Sequence, residues 1–285
     1  FIEMRGQKVH ERPHSRRSLV PRRVHHMNIC RRRAVIFQHR SEPAAAQVTR
    51  YVPFGAYYYA VPRERQDAFA VRSHQLADAA WTAGFYDGLV VPVEGVDLAR
   101  DEGIRPGSTV EKLDGLAPAF RADGTITAGN ASPLNDGASA VLLGSEDAAR
   151  LLGAEPLARI AGRGAHALEP QLFGFAPVEA AQKALVRAGI RWSDVGAVEL
   201  NEAFAVQSIA CIEAWGIDPE IVNAKGGAIA IGHPLGASGG RILGTLAARL
   251  RADGQRWGVA AICIGVGQAL AVVLENTGPT TGSVP

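Results

Sequence analysis

Three side chains in the last third of this chain are of types that can move a proton or hold an oxyanion: Asn201, His233 and Cys263. His233 lies in GGAIAIGHPLGASGG (226–240), a glycine-lined turn just ahead of a helix that should begin at Ser238. Glycines let the backbone approach a ligand closely and take positive φ. The partial positive charge at the helix amino end disfavours imidazolium, so His233 should be neutral near pH 7 and able to accept a proton. Cys263 closes the apolar run GVAAIC (258–263) and is followed by IGVGQ. At such a strand end a thiol can face a cleft, and the Gly265 amide can donate to an oxyanion. A strand cysteine is otherwise a small core residue, and that alternative stays open. Asn201 follows Val198-Glu199-Leu200 within NEAFA (201–205), where capping of the next helix competes with a site role. The glycine run is neither a P-loop, lacking Gly-Lys-Ser/Thr, nor the GxGxxG dinucleotide fingerprint. Cys211, between Ile209 and Ile212 on a helix, reads as packing, and nothing around Cys30 suggests a folded site.

The elements that must position these residues alternate between strand and helix. Residues 63–84 have the spacing of an amphipathic helix with Phe69, Val71, Leu76, Ala80 and Trp81 inward. Short strands are expected at Leu89–Val93, Thr125–Thr127 and Ser139–Leu143, then a helix at Glu146–Leu152. Beyond these come a strand at Leu157–Ile160, a helix at Pro177–Gly189, a buried strand at Val195–Leu200 and an apolar helix at Glu202–Trp215. A helix at Ser238–Arg251 precedes two strands, Val259–Cys263 and Ala269–Glu275, close enough to pair antiparallel. The pattern predicts a layered α/β fold whose ligands sit beyond the carboxyl ends of strands.

Composition narrows the class. The 285 residues are 47% hydrophobic and 20% charged with three cysteines, which excludes a disordered chain, a disulfide scaffold and a cysteine-based metal framework. No run reaches the roughly 18 apolar residues of a membrane helix, and a reducing cytoplasmic setting is the default. The net charge of +2 hides a division: residues 1–58 carry 12 Lys+Arg against 3 Asp+Glu, while the remainder has a net charge of −7. The basic segment shows no sustained period. It is read as a stretch without an evolved fold, such as a miscalled start, with a nucleic-acid arm or a targeting segment as alternatives.

Taken in order, NEAFA, GGAIAIGHPLGASG and CIGVG resemble the three carboxyl-terminal motifs of the thiolase family of acyl-coenzyme A acyltransferases. TAGNAS (127–132) with NDGA (135–138), and RERQDAFAVRSHQ (63–75), resemble further stretches of the same family, so the similarity runs from about Ala60 to Glu275. The resemblance implies a layered αβαβα fold with its carboxyl-terminal domain complete and its amino-terminal domain largely missing. The implied divisions are 1–58, a loop-domain remnant at 59–123, the last strand and helix of the amino-terminal domain at 124–155, the carboxyl-terminal domain at 156–279 and a tail at 280–285. It also implies roles: His233 as activating base, Cys263 as the group that moves the α-carbon proton, Asn201 as holder of a water in one oxyanion hole, and Gly265 in a second. Ser132 and Ala131 would lie along the pantetheine of coenzyme A, Arg105 near its nucleotide end, and Phe120 and Phe204 in the pocket.

The implied reaction is thiolysis or Claisen condensation of 3-ketoacyl- and acetyl-coenzyme A in fatty-acid or related β-oxidation. Coenzyme A would be substrate, with no metal, cofactor, membrane or nucleic-acid partner, and a homo-oligomer is usual for the family. The family's acyl-accepting cysteine stands in Asn-x-x-Cys-x-Ser-Gly, and no cysteine here has that setting. An inactive fragment that only binds acyl-coenzyme A or a partner is therefore the alternative. Lys112, Lys225, Val266 and Ala269 also depart from the family pattern, and Val266 with Gln268 resembles the 3-oxoadipyl-coenzyme A branch. With several strands absent, a poorly stable chain is expected, because an uncovered apolar layer costs about 25 cal/mol per Å².

Overall fold

A computed structural model describes residues 2–4, 60–98 and 100–278. Its elements in chain order are β1 (Ile2–Met4), α1 (Arg63–Thr82), α2 (Val110–Asp114), β2 (Leu143–Gly144), α3 (Glu146–Leu152), β3 (Ala158–Ala167), α4 (Ala176–Ala188), β4 (Ala197–Leu200), α5 (Ala205–Trp215), α6 (Ala228–Ile231), α7 (Ser238–Ala252), β5 (Trp257–Ile264) and β6 (Gln268–Glu275). The strands form one mixed sheet in the order β2-β1-β3-β6-β5-β4. β4 runs parallel to β5, whereas β6 is antiparallel to both β5 and β3.

Both faces of this sheet are covered, which is why the middle of β5 and of β6 is apolar at successive positions. On one side α4 and α5 bury Ala180, Ala184, Leu185, Ile212 and Trp215 against Val198, Val259, Ala271 and Val273. On the other, Ile242, Leu246 and Leu250 of α7, one turn apart, pack on Ala260 and Leu274. Neighbouring positions of β5 and β6 thus feed opposite cores, as a period of two requires. The layered α/β expectation holds, with one helical layer on each face.

Two close approaches set the spacing. At Gly162 and Gly164 of β3, an added Cβ would strike the backbone carbonyls of Ala184 and Ala180 on α4. At the β5–β6 turn, Cys263 faces Ala269 and Ile264 faces Gln268, leaving three residues to reverse the chain. Val266 and Gly267 both take positive φ there, +67° and +91°. For a β-branched residue such as Val266 that conformation is a strained one.

Several expectations need correction. Leu89–Val93 is not a strand: Leu89 and Val90 both bond the Tyr86 carbonyl in a turn, and Pro92 has no N–H to offer a ladder. Thr125–Thr127 makes a single bridge to Pro118, and of Ser139–Leu143 only Leu143 enters a strand. Leu157–Ile160 is the start of a ten-residue strand. Within the basic segment, Ile2–Met4 forms β1 between β2 and β3, a strand too short to show a period; residues 5–59 lie outside the described ones. The helix at 63–82 is present and buries Val71 and Ala80 as expected, with Ala70 and Ala77, yet the same face holds Gln66, Asp67, Ser73 and His74, and Phe69, Leu76 and Trp81 are only partly covered. It packs on α5 and α6 rather than on the sheet, through an apolar cluster of Ala70, Val71, Ala205 and Ile229 beside the polar groups.

Because Gly164 lies flush against α4, Gly164→Ala should lower stability by about 1–3 kcal/mol. Gly244, inside α7 with nothing near its missing Cβ, should behave oppositely, Gly244→Ala raising stability by roughly 0.5–1 kcal/mol. Urea unfolding midpoints of the two variants check both signs.

Candidate active site

The parallel pairing of β4 with β5 puts two of the candidate groups side by side. Leu200 is opposite Ala261, and the Asn201 amide donates to the Ala261 carbonyl at 2.9 Å. Asn201 therefore leaves the sheet beside the end of β5, where Cys263 sits. Both residues are buried, at 1% and 7% exposure. Asn201 does not cap α5, whose N-cap is Phe204 without a side-chain bond. Its side chain instead meets the imidazole, Nδ2 standing 3.3 Å from His233 Nε2.

His233 reaches this position through a loop held at several points. Gly232 has φ +90°, and its missing side chain makes room for the Asn135 amide, which accepts from the His233 N–H at 3.1 Å. His233 Nδ1 lies 2.6 Å from Ser238 Oγ, and that hydroxyl donates to the Pro234 carbonyl at 3.0 Å. A serine has one proton to give. With it spent on Pro234, Oγ accepts from Nδ1–H, and the lone pair of Nε2 faces the Asn201 amide. Burial, and next the nearby Arg241 guanidinium, depress the imidazole to about 4, so it is neutral at pH 7. The expected neutrality holds, with desolvation as its first cause.

Cys263 belongs to an apolar wall with Val61, Ile126, Ala203, Phe204, Val206 and Ile209, against which Phe120 and Ala131 pack. Phe120 and Phe204 meet edge to face at 6.1 Å between ring centres. Ala131 bridges Phe204, and both the amide and the hydroxyl of Ser132 donate to the Ala203 carbonyl at 3.1 Å. Burial pushes the Cys263 thiol up to about 12. Gly265 follows in the exposed turn. Thus Asn201 with His233, and Cys263 with Phe120, Phe204, Ala131 and Ser132, occupy adjoining parts of one region, joined by residues 201–204. Arg105 stands apart, exposed, with its backbone N–H on His74 Nδ1 and its guanidinium on the Gly103 carbonyl. Cys211 is buried and donates to the Gly174 carbonyl at 3.3 Å, in keeping with packing. Cys30 lies outside the described residues. Among the described residues no cluster of His, Cys, Asp or Glu is arranged to hold a metal ion.

Three further polar residues shape the site and escaped sequence reasoning. Glu202, 1% exposed, accepts from Ser73 Oγ at 2.7 Å, Asn223 Nδ2 at 2.8 Å and the Ile229 amide at 3.1 Å. Burial raises its pKa against those donors. Gly227 lies against this carboxyl group, with no room for a Cβ. Asn223, at φ +48°, also binds both the N–H and the C=O of Leu200 at 2.8 Å, extending the sheet past β4. Arg241 donates to the Gly232 carbonyl at 2.5 Å and to Asn201 Oδ1 at 3.5 Å. The available signal was a carboxylate beside Asn201 and a cation one turn into a helix that a glycine loop enters.

Comparison with known proteins bears on this geometry. The family model described as "Thiolase, C-terminal domain" matches residues 154–276, and "Thiolase, N-terminal domain" matches 13–147. A probable acetyl-CoA acyltransferase of Staphylococcus aureus is 49% identical over 225 residues, 76% of this chain and 57% of that protein. The chain thus spans a little over half the length of such curated relatives. The crystal structure of the Bacillus anthracis acetyl-CoA acetyltransferase superposes with a TM-score of 0.77 at 38% identity, covering 80% of this chain and 60% of that one. Human mitochondrial 3-ketoacyl-CoA thiolase gives a TM-score of 0.74 at 38% identity, over 82% of this chain and 59% of that one.

The lowered imidazole pKa has a consequence for stability. Between about pH 6.5 and 4 the unfolded chain takes up a proton at His233 that the folded chain cannot, so acidification through that window weakens the fold. His233→Gln should remove that part of the dependence, on the order of 2 kcal/mol. Urea midpoints of both proteins at pH 7 and pH 4.5 measure it.

Proposed function

The chain belongs to the thiolase family, and from that membership we propose that it supplies the imidazole, amide and thiol of an acyl-coenzyme A C-acyltransferase site. The reaction would be thiolysis or Claisen condensation of 3-ketoacyl- and acetyl-coenzyme A, in fatty-acid or related oxidation. The observation that carries this reading is the Asn201–His233 contact of 3.3 Å, at the end of the strand next to the one that Cys263 closes.

The groups suit the chemistry. Cys263, as thiolate, would remove a proton from the α-carbon of acetyl-coenzyme A. A thiol raised to about 12 is seldom ionised at pH 7, but its thiolate is a stronger base toward a weakly acidic C–H. Charge then develops on the thioester oxygen, where a water held on Asn201 and the Gly265 amide would offer donors. The bare Nε2 of neutral His233 suits the other proposed role, taking the proton of a thiol as that thiol bonds the acyl carbon and the coenzyme A sulfur leaves. No cysteine of the sequence stands in the Asn-x-x-Cys-x-Ser-Gly setting for that thiol, so the step proposed for this chain by itself is enolisation.

Coenzyme A would enter as substrate, with Ser132 and Ala131 along its pantetheine and the exposed Arg105 toward its phosphates. Phe120 and Phe204 would close the acyl pocket. Val266 with Gln268 in the β5–β6 turn favours the 3-oxoadipyl branch as a second reading of the substrate. A homo-oligomer in a cytoplasmic setting fits the same proposal. Among the described residues, no helix is long and apolar enough to cross a membrane.

The test is deuterium uptake into the methyl group of acetyl-coenzyme A in heavy water, followed by NMR. The chain should exchange it faster than buffer, and Cys263→Ala should lose about 10²-fold or more. A folded chain that gives no exchange overturns the proposal. Cleavage of acetoacetyl-coenzyme A by free coenzyme A should be absent; turnover that persists in Cys30→Ala would contradict the reading that no acyl-accepting thiol is present.

A further inference from the structure

We propose that Arg241 is a positioning residue of this site: its guanidinium decides which end of the Asn201 amide meets His233 and ties down the loop that carries the imidazole. Its catalytic consequence rests on the function proposed above; its geometric part does not.

Arg241 sits in the first turn of α7, just after Ser238, and is held mostly away from solvent. Acids surround it, yet both of its described bonds go to neutral oxygens, the Gly232 carbonyl and Asn201 Oδ1. The acids are engaged elsewhere. Glu199 of β4 pairs with Arg249 at 2.7 Å, and Glu202 is held by Ser73, Asn223 and the Ile229 amide. Tyr86 donates its hydroxyl to the Lys225 carbonyl. Asp101, on the segment after α1, acts on Arg241 through its charge, as do Glu199 and Glu202. Burying a guanidinium costs several kcal/mol unless charges nearby offset it, and these acids offset part of that cost at a distance.

That arrangement leaves the fork of Arg241 free to orient an amide. At 3.5 Å the contact with Asn201 is long, so its preference is electrostatic: the oxygen end of the amide dipole faces a cation. Turning the amide over would set its NH₂ against the guanidinium, donor against donor, and bring an oxygen lone pair to the lone pair of His233 Nε2. With Oδ1 on Arg241, the bonds run in one direction. Arg241 donates to Asn201, Asn201 to His233, His233 to Ser238, and Ser238 to the Pro234 carbonyl. Every proton in the series has an acceptor, and one imidazole tautomer follows. The second Arg241 bond reaches the residue before His233, so one side chain governs both the amide and the ring it meets. The same cation opposes protonation of the imidazole.

The experiment is NMR of ¹⁵N-histidine in the full chain, read without substrate. In the wild type, His233 should show protonated Nδ1 and bare Nε2 at pH 7 and titrate well below 6.5. Arg241→Met should mix the tautomers and raise the titration by roughly half a unit or more. Arg241→Lys, which retains charge without the fork, should keep the low titration but mix the tautomers and slow deuterium exchange about tenfold. Superposable wild-type and Arg241→Met titrations would overturn the proposal. So would full rescue of tautomer and exchange by Arg241→Lys, which would leave charge as the whole effect; that comparison decides the matter if Arg241→Met fails to fold. Wild-type nitrogens behaving as expected without any exchange would sink the enolisation reading and leave the Arg241 geometry standing.

Discussion

Everything at the site hangs on the register of two parallel strands buried on both faces. With Leu200 opposite Ala261, the amide of Asn201 closes the last ladder bond, and the polar residue comes out of the sheet beside the strand that ends in Cys263. A slip of one position would send Val198 and Val259 toward α7 and the other alternating residues toward α4 and α5, undoing both cores. Hydrophobic packing on the two faces therefore fixes the register that sets where an amide and a thiol stand. The behaviour of the thiol follows: an apolar wall of Phe204, Ala203 and Ile209 makes ionisation costly.

Around this rigid pair the loops are held by polar groups in place of apolar ones. Glu202 ties α1, the Asn223 turn and the α6 segment to one carboxylate, and Asn223 occupies the edge of β4 with its side-chain amide. Buried polar networks specify geometry sharply because each unsatisfied member is expensive. That suits a loop which must present His233 from a stretch with few side chains of its own. Ser238 and Asn135 complete the same work at the ring and at the backbone.

Much of this was legible from residue order. Long periodic segments such as α4 and α7 announced themselves, as did the closing hairpin, since amphipathic spacing and short glycine turns are local signals. Asn201, His233 and Cys263 stood out because strand ends and glycine loops are where polar groups become available. The failures have the opposite character. The buried face of α1 mixes Ala70, Val71, Ala77 and Ala80 with Gln66, Asp67, Ser73 and His74, and periodicity does not encode the polar half, which meets polar groups of other elements. Leu89–Val93 has strand-forming side chains but, among the described residues, no strand with which it pairs. Nothing in the residue order singles out Arg241 or Glu202; only in the folded chain is Glu202 buried and Arg241 mostly covered. Arg105 carried a family expectation, and among the described residues its side chain bonds the nearby Gly103 carbonyl.

The contact between Gly227 and the Glu202 carboxyl group has an evolutionary reading. Neither position can drift alone: a side chain at 227 evicts the carboxylate, and a shorter residue at 202 strands Ser73, Asn223 and the Ile229 amide without an acceptor. The two sites form an epistatic pair, open to exchange only in concert, so lineages of this fold should carry both residues or neither.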